Sequence, residues 1–309
     1  MAPALTVLDP GPQTTVQDLG RAGQLRSGIP PSGPMDRVSF IVANRLVGNT
    51  DGAAALECTV VGPRFRVGTA GAIAVTGAEM PLVVNGSEAP RWTAVPVCPG
   101  DEVRVGSARA GVRGYLAIAG GIDVPLVLGS RSTYLRGRLG GLEGRALRKG
   151  DVLSLFPATV PLARALAPPP IRLEEEPILR VVVGPQAERF TEDGIATLLG
   201  HPYAMLPQSD RMGARLSGPR IAHRAGHDII SDGIALGSIQ VPGDGQPIAL
   251  LVDRQSTGGY TKIATICSFD IGQLGQVKPG QRVRFAAITV GEAHAILREA
   301  EATLARILV

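Results

Sequence analysis

At 309 residues with 44% apolar content, the chain exceeds the usual size of one domain and has material for two cores. Its 40 glycines and 25 prolines argue against a long-helix protein and for short strands joined by tight turns, and with aromatics at 4% the cores must be filled by Val, Leu, Ile and Ala. Lys plus Arg exceed Asp plus Glu by only 31 to 27, with no dense basic run and little aromatic interleaving, which excludes a typical nucleic-acid surface and leaves the arginines for local anionic ligands.

Residues 5–8 form an opening strand, turned by Asp9-Pro10-Gly11-Pro12. The loop at 14–34 holds too many glycines and prolines for a helix interior. A helix follows, with Pro34 suited to its first turn, Val38, Ile41, Val42 and Leu46 on one face, and Gly48-Asn49 as its stop. From 54 to 155 the pattern is almost all strand: 54–59, 64–67, 71–76, 82–84, 102–105, 114–119 and 152–155. Turn signals at short intervals suit a barrel or sandwich. Pro168-Pro169-Pro170 and Glu174-Glu175-Glu176-Pro177 mark the domain boundary, giving halves 1–165 and 166–309.

The second half opens with a strand at 178–183. A short helix capped by Thr191 follows, with Glu192 and Asp193 in its first turn and Gly200 at its end. Strands return at 248–252, 261–266 and 282–288, and a final helix is expected over 292–304. The halves echo each other weakly: Pro99-Gly100-Asp101, Gly114-Tyr115 and Lys149-Gly150-Asp151 can be matched to Pro242-Gly243-Asp244, Gly259-Tyr260 and Pro279-Gly280-Gln281.

Cys58, Cys98 and Cys267 are too few and too scattered for a disulfide framework and fit a reducing cytosol. Residues 1–8 lack the basic region and apolar run of a signal peptide, and no segment reaches 18 nearly continuous apolar residues, so the expected location is cytoplasmic and off the membrane.

Four polar clusters stand out. In 14–21, Gln17, Asp18 and Arg21 offer ligand or partner contacts, or a loop that hydrogen-bonds itself. Ser32, Gly33 and Asp36 could present amides to an anion or simply cap a helix, and Asn44 could reach the same loop. Asp210 and Arg211 form an Asp-Arg pair beside Gly213, open to the same two readings. The run Asp253-Arg254-Gln255-Ser256-Thr257-Gly258-Gly259-Tyr260-Thr261-Lys262 pairs charged groups with glycines that permit close backbone approach, and is read as a site rim in preference to a solvated hairpin tip. It lacks P-loop spacing. His223 and His227 have no acidic ligand motif around them, so no metal site is expected. No Gly-x-Ser-x-Gly or Gly-x-Gly-x-x-Gly motif occurs.

Gly11-Pro12-Gln13-Thr14-Thr15-Val16-Gln17-Asp18-Leu19-Gly20-Arg21, Ser32-Gly33-Pro34-Met35-Asp36, Ala43-Asn44-Arg45-Leu46-Val47-Gly48-Asn49 and Ala55-Leu56-Glu57 closely resemble the opening signature of a bacterial family. It is known as the 5-oxoprolinase C subunit, KipA-like, allophanate hydrolase subunit 2 or biotin-dependent carboxyltransferase family. Ser209-Asp210-Arg211-Met212-Gly213, Ser231-Asp232-Gly233, Gly237-Ser238-Ile239-Gln240-Val241-Pro242 and 253–262 resemble its second half.

The resemblance implies a mostly β protein of two cyclophilin-like β-barrel domains with a few short helices. It also implies two partners: a KipI-like B subunit, and an A subunit that completes an ATP-dependent 5-oxoprolinase converting 5-oxo-L-proline to L-glutamate. ATP, with Mg2+, would be shared with the partner. Asp18, Arg21, Asp253, Arg254 and Lys262 are the catalytic candidates, the cations as charge clamps and the carboxylates orienting them. Gln17, Ser32, Gly33, Asp36, Asn44, Asp210, Arg211, Gln255, Thr257, Gly258, Gly259 and Tyr260 are the candidate cofactor contacts. Two alternatives come with the family: carboxyl transfer from biotin to a urea-like acceptor, which would need a separate biotin carrier, and a KipA-like regulator that binds a KipI-like kinase inhibitor.

Overall fold

The computed structural model describes residues 5–158, 165 and 173–307. Two compact units emerge: Met1–Ala22 with Ser32–Leu173 and Arg306–Val309, and Gly23–Pro31 with Glu174–Ala305. The triple proline at 168–170, where the sequence places the division, lies outside the described residues. The protein is mostly β, with four α-helices among the described residues.

The first unit holds two open sheets. The seven-stranded sheet runs Ile122–Asp123, Val152–Leu155, Leu5–Asp9, Arg64–Val67, Glu102–Val105, Leu82–Val84 and Ser87–Ala89. The five-stranded sheet runs Gln13–Gln17, Ala55–Thr59, Arg113–Ile118, Gly71–Gly77 and Val95–Val97. Alternation drives their packing: in Arg64–Val67 the arginines face solvent while Phe65 and Val67 are buried. Leu5, Val7, Phe65 and Val103 from one sheet meet Val16, Leu56, Val75 and Leu116 from the other in one core. Each fully buried aliphatic side chain there contributes about 1.5–3 kcal/mol. Short edges limit further pairing, and Pro96, with no N–H to offer, suits the margin of its sheet.

The expected loop at 14–34 instead begins as strand Gln13–Gln17, which pairs along Ala55–Thr59. The β-branched run Thr14-Thr15-Val16 fits the pleat and overrides the glycine signal that follows it. Helix α1 (Arg37–Leu46) buries Phe40, Ile41, Val42 and Leu46 against Gly71–Gly77 and Arg113–Ile118. Its end is tied to the sheet by Asn49, whose Nδ2 donates to the Asn44 Oδ1 (3.0 Å) and to the Ile118 carbonyl (2.8 Å).

The second unit contains a closed barrel of Ile178–Val183, Lys262–Ile266, Ser238–Gln240, Ile248–Leu250, Gly213–Ser217, Tyr203–Met205 and Arg282–Ala287. The last strand returns to pair in parallel with the first. Leu179, Val181, Ile239, Ala249, Ile263, Val283 and Phe285 fill its interior. Helix α2 (Glu192–Gly200) starts where the sequence places it, with Gly194 N–H donating to Thr191 Oγ1 (2.9 Å). Helix α3 spans Ile271–Gly275, and α4 spans Val290–Arg306. The start of α4 is earlier than expected because Thr289 and Glu292 form a reciprocal capping box, Thr289 N–H to Glu292 Oε2 at 2.7 Å and Glu292 N–H to Thr289 Oγ1 at 3.2 Å.

Of the three matched phrases, the first and third pairs occupy the same turn-before-strand setting in both halves. The Gly-Tyr pair does not: Gly114-Tyr115 is central in the five-stranded sheet, whereas Gly259-Tyr260 belongs to a separate ribbon formed by Asp228–Gly233 and Thr257–Tyr260. No helix among the described residues is long and apolar enough to cross a membrane.

Candidate functional site

In the first unit the expected site residues build a closed polar knot. Asp18 follows strand Gln13–Gln17 and accepts from Ser130 Oγ (2.5 Å), Ser132 Oγ (2.7 Å), the Arg131 amide (2.6 Å) and the Gly20 amide (2.9 Å). Three of these donors fall on Oδ1 and one, the Arg131 amide, on Oδ2. Arg21 is buried and donates to the Ser132 carbonyl and to Ser32 Oγ (3.3 Å). Gln17 Nε2 reaches Thr15 Oγ1 (3.0 Å) and the Thr133 carbonyl (3.2 Å), while its Oε1 finds no donor among the described residues.

Ser32 and Gly33 both have positive φ, and Gly33 lies against the Leu19-Gly20 backbone where a Cβ would press on it. Asp36 is the N-cap of α1, accepting from the Ser39 amide (3.1 Å) and hydroxyl (2.6 Å). Asn44 Nδ2 donates to the Ala53 carbonyl (2.9 Å). Beneath them Glu57 Oε2 accepts from the Met35 amide (2.9 Å) and the Tyr115 hydroxyl (2.8 Å). Burial, with the Glu57 and Asp36 charges adding to it, pushes the Tyr115 phenol well above its ordinary value. Burial likewise raises the Cys58 thiol to about 12, so it stays protonated.

The second unit differs. Asp210 caps a turn through the Met212 and Gly213 amides. Arg211 Nε donates to Asp253 Oδ2 (2.9 Å) in a buried pair. Arg254 points elsewhere, Nε to the Ile234 carbonyl (3.0 Å) and Nη1 to the Leu251 carbonyl (3.4 Å), with no acidic partner among the described residues. Burial draws its guanidinium below the ordinary value.

Lys262, 1% exposed, opens a barrel strand. Its Nζ donates to Asp232 Oδ2 (3.0 Å), and its amide donates to Gln186 Oε1 (3.0 Å). The ammonium's other two N–H bonds have no partner among the described residues. Asp232 stands on the exposed ribbon, and the Lys262 hydrogen bond holds its carboxyl below the usual range. Gln186 Nε2 also reaches Asp232 (3.3 Å). The 232–234 segment therefore touches both cations, through the Asp232 carboxylate and the Ile234 carbonyl.

Thr257, Gly258, Gly259 and Tyr260 form the ribbon strand facing Asp228–Gly233, with Gly258 close against Ile234 and Gln240; Gln255 lies in the short segment before it. Asp232, Gln186, Ser130 and Ser132 were not singled out as site residues by sequence reasoning. The tandem hydroxyls of Gly129-Ser130-Arg131-Ser132-Thr133 are the signal that could have identified the Asp18 partners; Gln186 carries none. Among the described residues, no group of three or more His, Cys, Asp or Glu side chains is placed to hold a metal.

A buried lysine with unclaimed donors, or a buried arginine with no acidic partner among the described residues, can hold a negatively charged oxygen. The carboxyltransferase domain model, subdomain A and B, matches residues 27–287. The chain belongs to the carboxyltransferase family. It is 36% identical to the 5-oxoprolinase C subunit of Escherichia coli (strain K12), covering 94% of this chain and 93% of that protein. It is also 36% identical to urea amidolyase of Lachancea kluyveri, across 97% of this chain but only 18% of that protein. The crystal structure of the K. lactis urea amidolyase superposes with a TM-score of 0.92 at 32% identity, covering 100% of this chain and 20% of that one. The chain thus spans about a fifth of the urea amidolyases and most of the length of the 5-oxoprolinase C subunit.

Proposed function

We propose that this chain acts as the C subunit of an ATP-dependent 5-oxoprolinase, working with a KipI-like B subunit and an A subunit in the cytoplasm to convert 5-oxo-L-proline to L-glutamate. The observation that carries this reading is the match over 94% of the chain and 93% of the E. coli C subunit. On this reading the halves, dividing near residue 165, descend from two cyclophilin-like barrels; the second unit has a closed ring in support of that descent, whereas the first holds two open sheets.

The donor set fits a phosphate-bearing cofactor: Lys262 has two unclaimed N–H bonds, and Arg254 has no counter-ion among the described residues. ATP, with Mg2+, would supply the phosphoryl group that makes a poorly electrophilic lactam open to water. Lys262 and Arg254 would clamp the negative oxygens, and Asp232 would hold Lys262 in place. Asp253 serves its rim by fixing Arg211. Asp18 and Arg21 act by fixing the Ser130–Thr133 loop.

The test is glutamate formation from labelled 5-oxo-L-proline, with and without ATP, by this chain co-expressed with neighbouring B and A subunits. ATP-dependent product that vanishes when this chain is omitted supports the reading; no product from a stable complex sinks it. Carboxyl transfer to a urea-like acceptor is the second reading, favoured by the match to urea amidolyase across 97% of the chain. The same complex given carboxylated biotin and urea tests it.

A further inference from the structure

The loop after the Ser130–Thr133 hydroxyls enters none of the roles above. Leu135, Arg138, Glu143, Gly144, Arg145 and Arg148 line an open depression of about 430 Å3 on the first unit, with Arg138, Glu143 and Arg148 exposed. That size falls in the range of small-molecule pockets. Three arginines and one glutamate share this lining.

The three arginines are not equivalent. Arg145 is satisfied: it grips Asp151 with both terminal nitrogens (2.7 and 2.9 Å) and also reaches Glu143 (2.9 Å). The side chains of Arg138 and Arg148 make no hydrogen bond or ion pair among the described residues. Burial works against the Asp151 charge, but the Arg145 hydrogen bonds, the Arg148 amide and the more distant charge of Arg148 together hold its carboxyl below the usual range. Asp151 is thus already claimed by Arg145. Two guanidinia without a bonded carboxylate around one depression match a dianion better than a monocarboxylate, and their planar forks suit the oxygens of phosphate.

The backbone is shaped to keep them there. Tyr134 and Leu139 exchange amide hydrogen bonds around a tight 135–138 turn. Arg138 and Glu143 both have positive φ, at 51° and 55°, a conformation that side chains disfavour and that must be held by its surroundings. Gly144 supplies part of that hold, lying so close to the Arg138 carbonyl group that any Cβ would collide with it. The Gly141 amide to the Arg131 carbonyl (2.9 Å) and the Leu147 amide to the Thr14 carbonyl (2.9 Å) fasten both ends of the loop to the Asp18 knot and its strand. A ligand entering this depression meets arginines on an already ordered backbone, which lowers the entropic cost of binding.

We propose that the 135–148 loop is a binding site for a phosphate-bearing small molecule, with Arg138 and Arg148 as the ligand-holding groups and Arg145 as their fixed support. The site does not rest on the 5-oxoprolinase reading, since it needs neither Lys262 nor a partner protein.

The experiment is calorimetric titration of the whole protein with inorganic phosphate and with pyrophosphate, against acetate and succinate at matched ionic strength. Saturable binding of the phosphates is expected, at least tenfold tighter than acetate. It should weaken at least tenfold in R138Q/R148Q, which keeps much of each stem, and persist in R215A, a control for exposed charge on a strand of the second unit. Melting curves check that each variant is folded. Absence of saturable phosphate binding, equal binding by folded R138Q/R148Q, or an equal loss in R215A would overturn the proposal. Equal affinity for succinate would overturn the choice of phosphate.

Discussion

Asp18 and Asp232 each fix a neighbouring group, but under opposite conditions. Asp18 is buried and meets four donors, two hydroxyls and two amides, three of them on Oδ1 and one on Oδ2. Asp232 stands in solvent and holds a lysine that is itself buried and keeps two donors unclaimed among the described residues. The two regions use the same residue vocabulary of Asp, Arg, Ser and Gly. What separates them is which partner is buried: a buried, multiply bonded carboxylate specifies a shape, whereas a buried cation with spare donors can specify a ligand.

The largest effect that would break this contrast is on stability. Asp18→Ala strands several buried donors at once and should cost about 3–5 kcal/mol in urea unfolding. A loss below about 1 kcal/mol would show that the knot does not hold the fold. Lys262→Met reverses the pattern. It should lower ATP-dependent glutamate formation by about 10²–10³-fold in the complete complex, while the urea midpoint stays near that of wild type because Asp232 is already solvated.

Asp232→Asn should give a smaller loss, roughly tenfold, and sharpen the comparison through pH. The Lys262 hydrogen bond depresses the folded-state pKa of Asp232. The pair is therefore fully present above the ordinary carboxylate pKa and is lost as pH falls through the depressed value. The NMR shift of the Lys262 ammonium, followed from neutral to acid pH, should show a transition in wild type that is absent in D232N.

The smallest effect belongs to His223, where burial and then neighbouring charge lower the imidazole pKa against the bond it makes to the Val241 carbonyl. The unfolded chain binds the proton more readily, so stability is full above the ordinary histidine pKa and declines as pH falls through the lowered value. H223Q should flatten that slope in melting temperature, and an unchanged slope would assign it to another group.

The longer elements were legible in the sequence because periodicity and caps agree: α1 with its apolar face, α2 with Thr191, and strand Arg64–Val67 with its alternation. Three-residue strands such as Ser238–Gln240 and Tyr203–Met205 were not, since so short a run carries no period and exists only by pairing. The candidate residues were mostly visible, but their partners were not. Asp18 meets serines more than a hundred positions away, Lys262 meets Asp232 across a ribbon, and Asp253 turns to Arg211 although Arg254 is its neighbour in sequence. Asp253 and Arg254 sit at a turn closed by the Arg254 amide on the Leu251 carbonyl (3.1 Å), and their side chains find different partners, so sequence proximity misdirects the pairing.

The parallel seam between Ile178–Val183 and Arg282–Ala287 has a consequence for how the second unit is made. Its first strand emerges from the ribosome about a hundred residues before the strand that completes it. Until then the ring has two bare margins, one on Ile178–Val183 and one on Tyr203–Met205, which also waits for Arg282–Ala287. Such a closure is a late, long-range event in folding, and the nascent chain is exposed to mispairing throughout the wait. A chain ending before residue 282 would keep both margins open permanently and should be found in aggregates, while one ending after residue 288 would retain every strand of the ring.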